Sequence, residues 1–177
     1  MTFHKLFRVA LLLGALSCVT SDGYGRAPAT FSGTLTAVSD GDSYTVRVCH
    51  GNYCTNHKIR LHGADCPEIK HNRNETDQPG GIEARDYVVK HYLGKPVIVT
   101  RHGMSFGRIV GDVTSGETDL ARDLLSRGHA MLDPRYSKDK ELQAAQEKAS
   151  CDDLGIWSGD KDPVPPWDWR RDGKAKI

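Results

Sequence analysis

Residues 59–68 read I-R-L-H-G-A-D-C-P-E. Ile59 and Leu61 lie two apart, so on a strand they share the buried face while Arg60 points the other way. Gly63 and Pro67 break the strand into a turn. Two carboxylates, Asp65 and Glu68, sit on that turn. Like charges this close repel unless a cation or a hydrogen-bond network lies between them. Taken alone, the stretch reads as a polar strand end with solvated acids. The same charge types recur elsewhere in the chain, at positions that could complete one site.

Upstream, Phe31–Val38 alternates on Phe31, Gly33, Leu35 and Ala37, which predicts a half-buried strand. Asp40-Gly41-Asp42 reads as a turn. Ser43–Val48 alternates again, with Tyr44, Val46 and Val48 on one face. His50-Gly51-Asn52-Tyr53 reads as a hairpin tip, and His57–His62 as the third strand. Downstream, a polar loop ends in Pro79-Gly80-Gly81. A helix follows over 82–93, stopped by Gly94 and Pro96. Val97–Arg101 and Arg108–Val113 are strand-like. Asp119 caps a short helix with Leu120, Leu124 and Leu125 inward and Gly128 as its stop. Ser137 is expected to cap a third helix, with Leu142, Ala145 and Ala149 inward and Cys151 on the opposite side. The tail from Pro163, rich in Pro and Trp, is expected to be irregular. Five short strands with one helix inserted and two following predict an α+β protein. Its form is a small closed β-barrel of the OB type with about three packed helices.

The chain has 177 residues, 38% of them hydrophobic, which suits one domain. The net charge of +1 excludes a bulk basic field, so an anionic substrate must be held by a local cluster. Lys5 and Arg8 precede an apolar run, Val9–Leu16, too short to span a bilayer and suited to a secretory signal. Secretion or periplasmic export is the expectation, with no transmembrane segment. Lipid attachment at Cys18 is the alternative, with Ala15 in the place where leucine is usual. Residues 1–30 are thus read as signal and leader, 31–158 as the folded domain and 159–177 as a tail.

Four cysteines follow the leader, an even number that favours disulfides, and three pairings are open. The hairpin favours Cys49–Cys54, which leaves Cys66–Cys151 by elimination. No C-x-x-C zinc spacing occurs. The eight histidines contain no pair at helical ligand spacing and read as scattered surface residues. Trp167 and Trp169, beside Arg170 and Arg171, are expected to pack the tail on the barrel rather than to stack on bases.

Asp42 and Asp65 offer oxygen ligands to a hard cation. Glu68 can serve as general base. Arg60 and Arg108 can grip phosphate oxygens and stabilise charge gathering on phosphorus. One cation, one base and two guanidinium groups meet the needs of phosphodiester hydrolysis.

Five stretches carry a family resemblance: D-G-D-S at Asp40–Ser43, the stretch at Ile59–Glu68, F-G-R at Phe106–Arg108, D-L with L-L-x-x-G-x-A at Asp119–Ala130, and L-G-I-W-S at Leu154–Ser158. Over Phe31–Ser158 the sequence resembles the staphylococcal nuclease (thermonuclease) family. The resemblance implies an OB-fold endonuclease using one Ca²⁺, bound by Asp42, Asp65 and the backbone carbonyl of Cys66. Threonine is frequent in the family at the Cys66 position, but a carbonyl ligand does not depend on the side chain. It further implies water activation by Glu68, catalytic arginines at Arg60 and Arg108, and a nucleotide-site tyrosine at Tyr136. Lys70 and Arg73, in the polar loop, would supply phosphate contacts. Phe106, Ser105 and Pro134 depart from the family's usual tyrosine, lysine and tyrosine, which retunes substrate binding without removing the chemistry. The implied substrates are DNA and RNA with little sequence preference, cut to 3′-phosphate ends by a monomer with no stable protein partner. The rival reading is a non-catalytic module that keeps the fold and only binds nucleic acid or protein. Such modules usually lose the acids or arginines, and all five charged positions are intact here.

Overall fold

Three strands open the fold as an antiparallel meander: β1 (Thr30–Asp40), β2 (Ser43–His50) and β3 (Tyr53–Leu61). This computed structural model describes residues 29–70, 76–159 and 162–174. Cys18, the leader through residue 28, and Arg73 lie outside them. Helix α1 (Gly81–Tyr92) leads to the hairpin of β4 (Pro96–Ser105) and β5 (Arg108–Ser115), and a two-residue β6 (Thr118–Asp119) runs into α2 (Leu120–Ser126). Then come α3 (Lys140–Cys151), a 3-10 turn (Gly155–Trp157) and α4 (Pro166–Lys174).

The strands lie in the order β3-β2-β1-β4-β5-β6, and β3 also pairs with β5. That pairing is parallel, Ile59 on Ile109 and Arg60 on Val110, and it closes five strands into a barrel. Closure removes the exposed strand edges. The OB-type α+β expectation therefore holds, with one helix more than expected.

Leu35, Val46, Ile59, Val99 and Val113 are fully enclosed, and so are Val88 of α1 and Leu120, Leu124 and Leu125 of α2. Truncating a leucine enclosed like Leu124 to alanine removes about 2–5 kcal/mol. Gly128 (φ +69) ends the α2 segment where the chain crosses the 3-10 turn. A Cβ there would stand 2.0 Å from the Leu154 carbonyl oxygen, so only glycine allows the approach.

Register shifts in β1 and β4 alter the expected faces. In β1 the register shifts between Leu35 and Ala37, which leaves Ala37 exposed and Val38 half-buried, against the simple alternation. In β4 it shifts between Arg101 and Gly103, with His102 as the extra residue.

Three expectations need correction. Helix α3 is capped by Asp139, whose carboxylate accepts from the Glu141 and Leu142 N–H groups. Ser137 lies upstream, and its hydroxyl accepts from the Asp139 N–H instead. The tail is helical: Pro166 starts α4, a position where its missing N–H and fixed φ are harmless. Cys49–Cys54 is a disulfide, but Cys66 and Cys151 are free. Cys66 is buried under Gly41, where an added Cβ would meet its sulfur at 2.6 Å, whereas Cys151 is exposed on α3.

Candidate active site

The β1–β2 turn, the end of β3 and the turn after it place the acids together. In the D-G-D turn, Asp40 Oδ1 accepts from the Asp42 N–H, and the Tyr44 hydroxyl donates to the Gly41 carbonyl at 2.6 Å. Gly41 lets the turn settle directly onto Cys66 and Ala84. Asp65 is fixed from the other side by paired backbone bonds with Met131, 2.8 and 2.9 Å long.

Asp42 and Asp65 are both buried. Arg60 joins them, with Nη1 on Asp42 Oδ1 at 3.1 Å and Nη2 on Asp65 Oδ1 at 2.6 Å. Asp42 Oδ2 accepts from the Cys66 N–H at 3.0 Å, and Oδ1 from the Ser43 hydroxyl. Arg108 reaches the same hydroxyl, Nη1 to Oγ, at 3.0 Å. Glu68 stands at the rim. Its backbone N–H donates to Gln78 Oε1, and the Gln78 amide donates on to the Val164 carbonyl at 2.6 Å. Five of the expected residues therefore converge: Asp42, Arg60, Asp65, Glu68 and Arg108. Lys70 is exposed, with its backbone N–H on Asp77. Tyr136 is also exposed, and the Arg135 guanidinium lies 5.7 Å from its ring and 5.5 Å from that of Trp167. Trp169 lines a cleft with Pro67 of the turn after β3, Gly80 at the start of α1 and Ile156 of the 3-10 turn.

One member of the cluster was not foreseen. Arg170 of α4 donates to Asp65 Oδ1 at 3.0 Å and to Oδ2 at 2.6 Å, and also to Glu68 Oε1. Only its position beside Trp169 marked it in the sequence, and a tail read as irregular gave no reason to aim it inward.

Burial pushes the Asp42 carboxyl well above its ordinary range, against the pull of Arg60, and Asp40 and Asp65 push it further. Burial alone would lower the Arg60 guanidinium, but Asp42 and Asp65 together raise it. Arg170 is likewise raised against its own burial, by Asp65 and Glu68. Two buried carboxylates held by guanidinium groups form a site in demand of positive charge. The side-chain donors that Asp42 and Asp65 offer are all oxygen, which fits a hard divalent cation.

The histidines are not all scattered. His62 and His102 both contact Asp112.

The family model described as "Staphylococcal nuclease homologue" matches residues 58–159. The chain belongs to the staphylococcal nuclease family. An "Uncharacterized endonuclease" of Escherichia coli is 33% identical over 144 residues, covering 80% of this chain and 86% of that protein. A "Probable staphylococcal-like nuclease CAN3" of Oryza sativa subsp. japonica is 34% identical over 117 residues, 66% of this chain. The chain spans only 29% of that rice protein, and 30% of a second one named alike. The matched segment holds Arg60, Asp65, Glu68 and Arg108. Asp42 and Arg170 lie outside it.

Proposed function

We propose that the protein is a Ca²⁺-dependent phosphodiesterase that cuts DNA and RNA with little sequence preference and leaves 3′-phosphate ends. The observation that carries this reading is the Arg60 bridge between Asp42 and Asp65, with Glu68 and Arg108 beside it. Asp42, Asp65 and the Cys66 carbonyl would hold the cation. When bound, it would draw charge from the phosphate oxygens and orient the diester. Glu68 takes a proton from the water whose oxygen attacks phosphorus, the P–O5′ bond breaks, and the leaving 5′ oxygen takes up a proton from solvent water. Arg60 and Arg108 donate to the equatorial oxygens as their charge grows. Arg170 occupies Glu68 Oε1, so it must release that oxygen before the oxygen can take the proton. The non-catalytic reading is disfavoured because acids and arginines meet in one place.

Export is also part of the proposal. Lys5, Arg8 and Val9–Leu16 support it, and so does the Cys49–Cys54 disulfide, since such bonds persist in oxidising compartments. Among the described residues no helix is long and apolar enough to cross a membrane. Release is favoured over lipid attachment at Cys18, and N-terminal sequencing of exported protein distinguishes the two.

The catalytic proposal is tested by the ends produced from DNA and RNA substrates. Termini that a polymerase extends only after phosphatase treatment are expected. Directly extendable 3′-hydroxyl ends would contradict the direction of cleavage.

A further inference from the structure

A second cluster of ligand atoms lies just past the end of β3 and on β4 and β5. His62 directly follows β3 and continues its pairing, donating its N–H to the Gly111 carbonyl at 2.9 Å. Asp112 is the next residue on β5. His102 is the extra residue of the β4 bulge, between the pairs Arg101–Gly111 and Gly103–Val110. A bulge re-aims one side chain, and here it turns His102 onto Asp112. His62 Nδ1 stands 3.0 Å from Asp112 Oδ1, and His102 Nε2 stands 2.7 Å from Oδ2. The ring centroids are 4.4 Å apart, and the three residues' ligand atoms lie within 4.8 Å of one another.

We propose that His62, His102 and Asp112 bind a divalent transition-metal ion of the zinc class. Two imidazoles and one carboxylate suit such an ion, whereas Ca²⁺ prefers oxygen alone. Ligand atoms around one tetrahedral ion stand roughly 3.3 Å apart, given metal–ligand distances of about 2.0–2.1 Å. The nitrogens and the carboxylate reach that spacing by side-chain rotation, since His102 is exposed and the other two are half-buried. The solvent side leaves room for water as a fourth ligand. The bound ion would tie the end of β3 to β4 and β5. It would be a centre separate from the Asp42–Asp65 pair.

The test is equilibrium dialysis of the folded full chain against Zn²⁺ at neutral pH. Saturating Ca²⁺ occupies the carboxylate site, and Cys151 is blocked by alkylation. One zinc equivalent is expected, with affinity lowered at least about tenfold in His102→Ala and in Asp112→Asn. His102 is exposed, so its alanine variant keeps the fold, which circular dichroism verifies. Co²⁺ gives an independent readout: visible absorption bands from nitrogen and oxygen ligation should appear with wild type and vanish with His102→Ala. Equal zinc affinity in wild type and both variants, or no zinc bound by wild type, would overturn the assignment.

Discussion

Arg170 holds Asp65 with both terminal nitrogens, Nη1 on Oδ1 at 3.0 Å and Nη2 on Oδ2 at 2.6 Å, across 105 residues of chain. Arg60 shares the same Oδ1 at 2.6 Å. The tail helix thus places a positive charge where the acids would otherwise call for a cation. A site whose binding-competent state must first be freed binds more weakly in proportion to that state's population. Arg170→Gln should therefore tighten Ca²⁺ binding, on the order of tenfold, as read by titration calorimetry. The tail stays docked through the Gln78–Val164 bond. Unchanged or weaker Ca²⁺ binding would show that Arg170 does not compete.

Arg60, Arg108 and Glu68 carry the proposed chemistry, and each is tested separately. Removing one preorganised charge stabiliser lowers turnover on the order of 10²–10³. Such losses are expected for Arg60→Gln, Arg108→Gln and Glu68→Ser, with circular dichroism unchanged. Turnover near wild type in all three would remove the site as drawn.

The free thiols differ in access. Under native conditions without reductant, alkylation should label exposed Cys151 and spare both buried Cys66 and the disulfide-bonded Cys49 and Cys54. Burial pushes the Cys66 thiol well above its usual range, which slows its reaction further. Replacing Cys49 and Cys54 by serine opens only a short loop and should lower stability by about 2 kcal/mol on loop-closure grounds. Labelled Cys49 or Cys54 in the native protein would contradict the disulfide.

The barrel was legible because Tyr44, Val46, Ile59 and Leu61 alternate with outward residues, and period two has few other readings. The acids and arginines of the site were legible because turns fix them in short motifs. What escaped depends on tertiary contact. Pro163, Pro165 and Pro166 argued against order, yet proline is harmless at a helix start. A nine-residue helix is stabilised by packing of the kind Trp169 and Arg170 make, which no local propensity reports. Pairing Cys66 with Cys151 rested on counting, and counting does not see that Cys66 lies beneath Gly41. Ser137 and Asp139 are both good caps two residues apart, and only the fold chooses between them. The His62–His102–Asp112 group was missed because spacing along a helix was the criterion. A bulge and a parallel pairing between strands assemble it instead.

Asp123 gives a pH signature remote from the catalytic centre. Burial alone would raise its carboxyl, but hydrogen bonds from Tyr92 (2.5 Å), Tyr87 (2.7 Å) and Arg127 (2.9 Å) hold it below the ordinary value. A depressed carboxylate contributes stability above its unfolded value of about 3.9, and that contribution fades as pH falls through the folded value. Asp123→Asn should therefore lower stability by about 2 kcal/mol at neutral pH, with the gap closing in acid below about pH 4. Urea unfolding of both proteins across that range checks this. A gap independent of pH would mean that the carboxylate charge plays no part.

The most direct measurement is cleavage of supercoiled plasmid DNA by purified protein in Ca²⁺, in Mg²⁺ and with a chelator. The oxygen-only donors Asp42, Asp65 and the Cys66 carbonyl predict cleavage in Ca²⁺ and almost none in Mg²⁺, which binds at shorter distances and holds its waters harder. They predict none with the chelator. Equal cleavage in Mg²⁺, or cleavage undiminished by chelation, would contradict the account.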